Sequence, residues 1–232
     1  VPVPEPAAAS DDLAESPFWQ HLSSRVAQEI KNPMVAINTF AQLLPRKYDS
    51  EDFRDAFSRV VQQEVARING VVETLFAFAE DPRLAVRPTN LNETVNAVLA
   101  RFEEELAARH IELEAELDES LTEAELDPEY FTQAVSNVVR NSIDAMPDGG
   151  RLSVRTRKQE NNAELHIEDT GPGVPPEDAD RVFMPFYSSR ERGMGLGLTT
   201  ANRIVKQHQG DLKLVVTAEG GTCFSMRLPT EE

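Results

Sequence analysis

Leu22, Val26, Ile30, Ile37, Phe40 and Leu44 recur at steps of three, four and seven. This spacing gathers apolar side chains on one helical face and predicts a helix over 17–44. Pro33 falls inside the pattern and is expected to bend the helix or break it locally, because proline lacks the N–H and crowds the preceding turn. Leu44 to Ser50 reads as a connection, with Ser50 able to cap the next helix. A second stripe follows: Phe53, Phe57, Val60, Val61, Val65, Ile68, Val72, Leu75 and Phe78, ended by Asp81-Pro82. Two amphipathic helices joined by a short loop form an antiparallel hairpin. Such a hairpin cannot bury both stripes by itself, so pairing two of them into a four-helix bundle, a homodimer, is expected.

The pattern changes after Pro88. Asn90 is placed to cap a helix through about Ala108, and His110–Leu117 alternates strictly, with Ile111, Leu113, Ala115 and Leu117 on one side, which predicts a half-buried strand. Asp127-Pro128 opens a helix to about Met146, with proline in its first turn. Strand-like runs follow at 151–157 and 163–168, then a Gly/Pro-rich loop and a helix near 195–208. Two strands near 211–217 and 222–228 come last, with Gly220-Gly221 as the hairpin signal between them. The predicted fold is an α-helical hairpin over 17–83, followed over 84–232 by a two-layer α/β sandwich. Residues 1–16, rich in Pro and Ala, read as a linker or a chain end.

Composition narrows the function classes. The 232 residues carry a formal charge of −17, which argues against nonspecific binding to nucleic acid or an anionic membrane. Twelve of the carboxylates lie between Glu103 and Glu129, where Arg109 is the one Lys or Arg; such a run is usually a solvated face. Cys223 is the single cysteine, so neither an internal disulfide nor a cysteine-built zinc site is available. No apolar run approaches the ~20 residues of a membrane span, and no signal peptide is visible. The expected location is cytoplasmic, for the chain alone or as the cytosolic part of a larger sensor.

Three stretches carry candidate chemistry. Asn137 and Asn141 are four apart and share a helix face; amide oxygens are hard ligands suited to Mg²⁺, and amide nitrogens can donate to phosphate. Asp169 follows an alternating run, so it sits at a strand end, and Gly171 and Gly173 let the backbone after it turn sharply. Gly193, Gly195 and Gly197 precede a helix whose first amides could hold phosphate. Each stretch is weak alone. In this order and spacing they resemble the N, G1 and G2 boxes of the sensor histidine kinase catalytic domain, one of the GHKL-type ATP-binding domains. Asp180–Tyr187 is similar to that family's F box. The resemblance covers roughly residues 17–230. It implies ATP as cofactor and Mg²⁺ held by Asn141, with Asn137 near the phosphates and Asp169 reading the adenine. It places Phe183, Leu196 and Leu198 in the boxes around the nucleotide, Thr222 near the adenine pocket, and a lid over about 174–194. Arg140 becomes a candidate γ-phosphate contact. Many members have a base three positions past the second asparagine; Asp144 stands there instead.

The resemblance extends into the first helix and then departs. The family's acceptor box reads His-Glu-x-x-Asn-Pro; this chain has Gln28-Glu29-Ile30-Lys31-Asn32-Pro33. A neutral imidazole nitrogen carries a free lone pair that can attack phosphorus. A glutamine amide nitrogen does not, since its lone pair is delocalised into the carbonyl. The expectation is a kinase core that binds Mg-ATP but has lost self-phosphorylation, with a response regulator receiver domain as partner. Two alternatives stay open: a phosphatase of that partner using Glu29 and Asn32, and a non-catalytic nucleotide-dependent scaffold. The remaining histidines, His21, His110, His166 and His208, read as surface or structural positions.

Overall fold

A computed structural model describes residues 17–79, 84–121, 123–187, 195–217 and 220–230. They fall into two compact units, one within the first 79 residues and one after them.

The first unit is a helical hairpin. α1 spans Pro17–Lys47 and α2 spans Glu51–Ala79. α1 runs through Pro33 without a break and also takes in Pro45. The connection is therefore shorter than the sequence suggests. An exposed proline in a helix's last turn forfeits a bond to a carbonyl that water can satisfy instead. Ser50 caps α2 as expected, its Oγ accepting the Phe53 N–H at 3.3 Å. Phe40, Phe53 and Phe57 stack near the hairpin turn, with ring centroids 5.8–6.4 Å apart. The predicted end of α2 at Asp81-Pro82 lies outside the described residues.

The second unit is a layer of three helices on a five-stranded sheet. Its elements are β1 (Arg87–Thr89), α3 (Leu91–Ala108), β2 (Ile111–Glu116), β3 (Ala124–Leu126), α4 (Pro128–Ala145), β4 (Gly150–Gln159), β5 (Asn162–Asp169), α5 (Gly197–Gln207), β6 (Asp211–Val216) and β7 (Thr222–Pro229). The sheet order is β2-β4-β5-β7-β6, with β2 parallel to β4 and the other pairs antiparallel. β1 and β3, which the periodicity does not reveal at three residues each, form a separate antiparallel ribbon.

Each helix is built as its sequence dictates. Asn90 caps α3, its side-chain oxygen accepting the Glu93 N–H at 3.1 Å. α4 starts on Asp127, with Pro128 in its first turn, and buries Phe131, Ala134, Val135, Val138, Val139 and Ile143. β5 alternates strictly: Ala163, Leu165, Ile167 and Asp169 are buried, whereas Glu164, His166 and Glu168 face the other side. β2 departs from expectation. Ile111 is buried, but Leu113 is 36% exposed and Ala115 is exposed, on a strand at the edge of the sheet with a neighbour on one side only.

Candidate nucleotide site

Asp169 ends β5 on the buried face, and β7 begins directly opposite it: Asp169 and Thr222 are partners in register. Both are buried. The Asp169 Oδ1 accepts the Gly171 N–H at 3.0 Å, which folds the loop back over the strand end. Two glycines allow the close approach. Gly173 has φ +73, and a Cβ there would lie 2.2 Å from the Gly220 carbonyl oxygen; a Cβ on Gly221 would lie 2.0 Å from the Asp169 carbonyl oxygen. The loop after β5 and the turn before β7 are thus pressed together by backbone contact that only glycine permits.

α4 spans the site. At one end Ala145 approaches Gly171, where a Cβ would meet the Ala145 Cβ at 3.0 Å. Met146, just past the helix, accepts from the Thr170 hydroxyl at 3.7 Å, and that hydroxyl accepts the Arg151 N–H at 2.9 Å. Two turns earlier, Asn137 faces the start of α5, its Oδ1 3.8 Å from where a Gly197 Cβ would stand. Asn137 and Ala145 are eight residues apart, about 12 Å along a helix. One helix therefore connects the strand-end carboxylate to the N-terminus of α5. Asn141 lies between them, half-buried, and its amide oxygen is a hard donor of the kind Mg²⁺ takes.

Around α5, Leu196 is buried at the N-cap position and Leu198 packs against the core, as does Phe183 from the short turn Arg181–Phe183. The Phe186 N–H donates to the Gly195 carbonyl at 3.0 Å. Gly195 has φ +66 and Phe186 itself φ +66, a conformation costly for a bulky side chain. Arg181 pairs with Asp178 at 2.7 Å and lies over the Tyr187 ring. The hydrogen bond from the Tyr187 phenol to Asp178 holds its proton on more tightly than usual. Gly193 and the rest of 188–194, the later part of the expected lid, lie outside the described residues.

Arg140 does not join this face. Its guanidinium is ion-paired to Glu105 of α3 and lies over the Phe102 ring, 4.7 Å from the centroid. Glu105 also pairs with Arg109 at 2.9 Å, and Arg109 reaches Asp144 at 3.4 Å. Arg140, Arg109 and Asp144 thus belong to a charged network between α3 and α4.

In the hairpin, Gln28 and Asn32 are exposed, one helical turn apart, while Glu29 and Pro33 are buried. Glu29 pairs with Arg67 of α2 at 2.8 Å. Arg67, Ala145 and Gly221 take part in these arrangements without any sequence signal that would single them out, although Gly220-Gly221 was legible as a turn. Of the four histidines, the side chain of His21 lies outside the description. His110 occupies a left-handed turn, His166 the outer sheet face, and His208 is buried.

Residues 126–232 match the family described as histidine kinase-, DNA gyrase B- and HSP90-like ATPase. Sporulation kinase C of Bacillus subtilis is 31% identical over 212 residues, 90% of this chain and 48% of the relative. The chain thus spans about half the length of such curated relatives. Among solved structures, a mycobacterial sensor histidine kinase, MprB, is 30% identical with a TM-score of 0.58, over 63% of this chain and 99% of that one. Histidine kinase ThkA, solved with the response regulator TrrA, superposes over 98% of this chain and 68% of its own with a TM-score of 0.75; at 24% identity it speaks for the fold.

Proposed function

We propose, for a chain that belongs to the sensor histidine kinase family, that it is a core able to bind Mg-ATP and unable to phosphorylate itself. The observation that carries the nucleotide reading is the course of α4, which joins the Asp169–Thr222 end of the sheet to the Gly197 end of α5. A ligand with a flat hydrogen-bonding head and an anionic tail fits that span. Asp169 would accept from the adenine amino group, with Thr222 beside it. Gly171 and Gly173 would let the loop close over the base, and the first amides of α5, after Gly195 and Gly197, would meet phosphate. Asn141 would hold Mg²⁺ and Asn137 would stand near the phosphates. Bound ATP supplies a γ-phosphoryl group for in-line transfer.

The loss of self-phosphorylation rests on Gln28. It is exposed where the family's acceptor stands, and its carboxamide offers no nucleophilic lone pair. The neighbouring carboxylate, Glu29, is engaged by Arg67. The relatives' phosphoryl chemistry implies a receiver domain as partner. Met34, Val35, Val65, Val72 and Phe76 expose apolar surface on the hairpin, which supports dimerisation through it. No described helix is long and apolar enough to cross a membrane, and a cytoplasmic site of action is the reading that suits an ATP-using core. The exposed pair Gln28 and Asn32 favours one further reading, a receiver-directed phosphatase, since carboxamides can orient an attacking water.

The test compares the chain with Gln28→His, using γ-labelled ATP and Mg²⁺, and scores acid-labile, base-stable label. Label on Gln28→His alone supports an intact core with its acceptor removed. Label on neither, with both binding ATP, moves the phosphatase reading ahead, to be checked by phosphate release from a phosphorylated receiver. Label on the unaltered chain overturns the assignment of Gln28.

A further inference from the structure

Away from the nucleotide face, two buried side chains hold a set of backbone groups from three segments. Asp127, 5% exposed, caps α4: its Oδ1 accepts the N–H groups of Glu129 and Tyr130 at 3.0 and 3.2 Å. Its Oδ2 accepts the Ala85 N–H at 2.7 Å. Its own N–H donates to Nε2 of His208 at 2.9 Å. His208, 3% exposed, stands just past α5, with Nδ1 2.8 Å from the Ile204 carbonyl and its ring edge-on to Phe131. A backbone N–H can only donate, so Nε2 is the acceptor and the proton sits on Nδ1, directed at Ile204.

The three segments are the two helices that flank the nucleotide site and the stretch 84–89 that arrives from the hairpin. That stretch contributes no buried side chain. What fastens it is the β1–β3 ribbon, with Arg87 opposite Leu126 and Thr89 opposite Ala124, and the Ala85 bond to Asp127. A segment attached by backbone hydrogen bonds near the surface opens more readily than a core element. Its anchor is nevertheless the residue that starts the helix of Asn137 and Asn141 and is gripped by the end of the helix that starts at Gly197.

We infer that Asp127 and His208 are positioning residues that couple attachment of the 84–89 segment to nucleotide affinity. When the segment is docked, α4 and α5 are held in one register; when it detaches, the carboxylate loses a partner and both helix ends gain freedom. Nucleotide binding then favours the docked segment, and docking favours nucleotide by the same factor, since coupling between two sites is reciprocal. This rests on the nucleotide reading above.

The experiment uses the full chain, with Mg-ADP as probe. In the unaltered chain, amide hydrogen exchange at Ala85, Val86 and Arg87 slows about fivefold on saturation with Mg-ADP, the factor that one hydrogen bond is worth. Asp127→Asn keeps an oxygen for the cap but sets an NH₂ against the Ala85 N–H; it weakens Mg-ADP binding about fivefold and loses the exchange response. His208→Leu weakens binding similarly, and His208→Gln, which restores an acceptor oxygen, recovers part of it. Variants that melt earlier yet bind Mg-ADP like the parent, with exchange at Ala85 indifferent to nucleotide, overturn the coupling and leave a structural tie. The exchange result on the unaltered chain decides this even if a variant fails to fold. A parent that binds no Mg-ADP overturns the nucleotide reading and the coupling together; a parent that binds, without the exchange response, overturns the coupling alone.

Discussion

The hairpin and the α/β unit solve the same problem in opposite ways. In the α/β unit, α3, α4, α5 and the inner face of the sheet bury a continuous core that includes Leu91, Phe131, Val138, Leu165, Ile204, Phe224 and Met226, each at most 1% exposed. In the hairpin, Val71 and Pro33 are the buried nonpolar residues among those described, and Phe76 remains 66% exposed. Both units are amphipathic by sequence. The α/β unit closes on itself because a sheet offers its helices a broad apolar face; two helices offer each other only a seam. The seam leaves much of the hairpin's apolar surface, Phe76 included, uncovered within this chain, the observation on which the proposed dimer rests.

That contrast can be broken most severely at Gly221. A Cβ there would stand 2.0 Å from a backbone oxygen, so Gly221→Val should cost at least ~3 kcal/mol. Calorimetry should show the α/β transition lost or moved sharply down while helical signal from the hairpin persists. Gly220→Ala is the control: it has open space but φ +91, so it should cost only about 1–2 kcal/mol. Next comes the hairpin. Val65→Glu with Phe76→Glu places charge on the apolar surface and should weaken self-association at least ~100-fold. Sedimentation would report this, with melting of the α/β unit unchanged; an unshifted association would remove the dimer reading. Arg67→Met should be milder. It strips a partner from buried Glu29, costing the hairpin about 1–2 kcal/mol, and adding Glu29→Gln should restore part of the loss. The last test is chemical and leaves the fold untouched. Burial, and then Glu168, push the Cys223 thiol up to about 11. Below that pH the thiol stays protonated, so at pH 8 iodoacetamide should label the folded chain roughly 100-fold more slowly than an unfolded one. The rate should rise about tenfold per pH unit up to that value; fast labelling at pH 8 would mean an open sheet face.

Much of the fold was legible because its signals are local. The α1 and α2 stripes, the Asn90 and Asp127 caps, the alternation of β5 and the Gly220-Gly221 turn are all short-range rules of side-chain spacing and backbone freedom, and the described structure follows them. The misreadings share a different cause. Residues 45–47 read as part of the connection, yet they continue α1, because the bond that Pro45 forfeits falls at an exposed helix end. Leu113 and Ala115 looked half-buried because alternation does not say whether a strand is central or at an edge. β1 and β3 are too short for any period to show.

For the candidate site the division is similar. The asparagines, the carboxylate and the glycine-rich boxes stood out as residues, and the resemblance assembled them in order. Which side Arg140 faces did not stand out: position on α4 left it free to turn, and Glu105 and Phe102 decided. The sequence by itself determined the longer elements and the two-unit plan, since these depend on residue identity and near neighbours. Only the tertiary structure decided that Asp169 meets Thr222, that Glu29 is closed off by Arg67, and that His208 grips the cap of α4 from 81 positions away. Those contacts join residues far apart in the chain, and their partners are chosen by packing rather than by spacing.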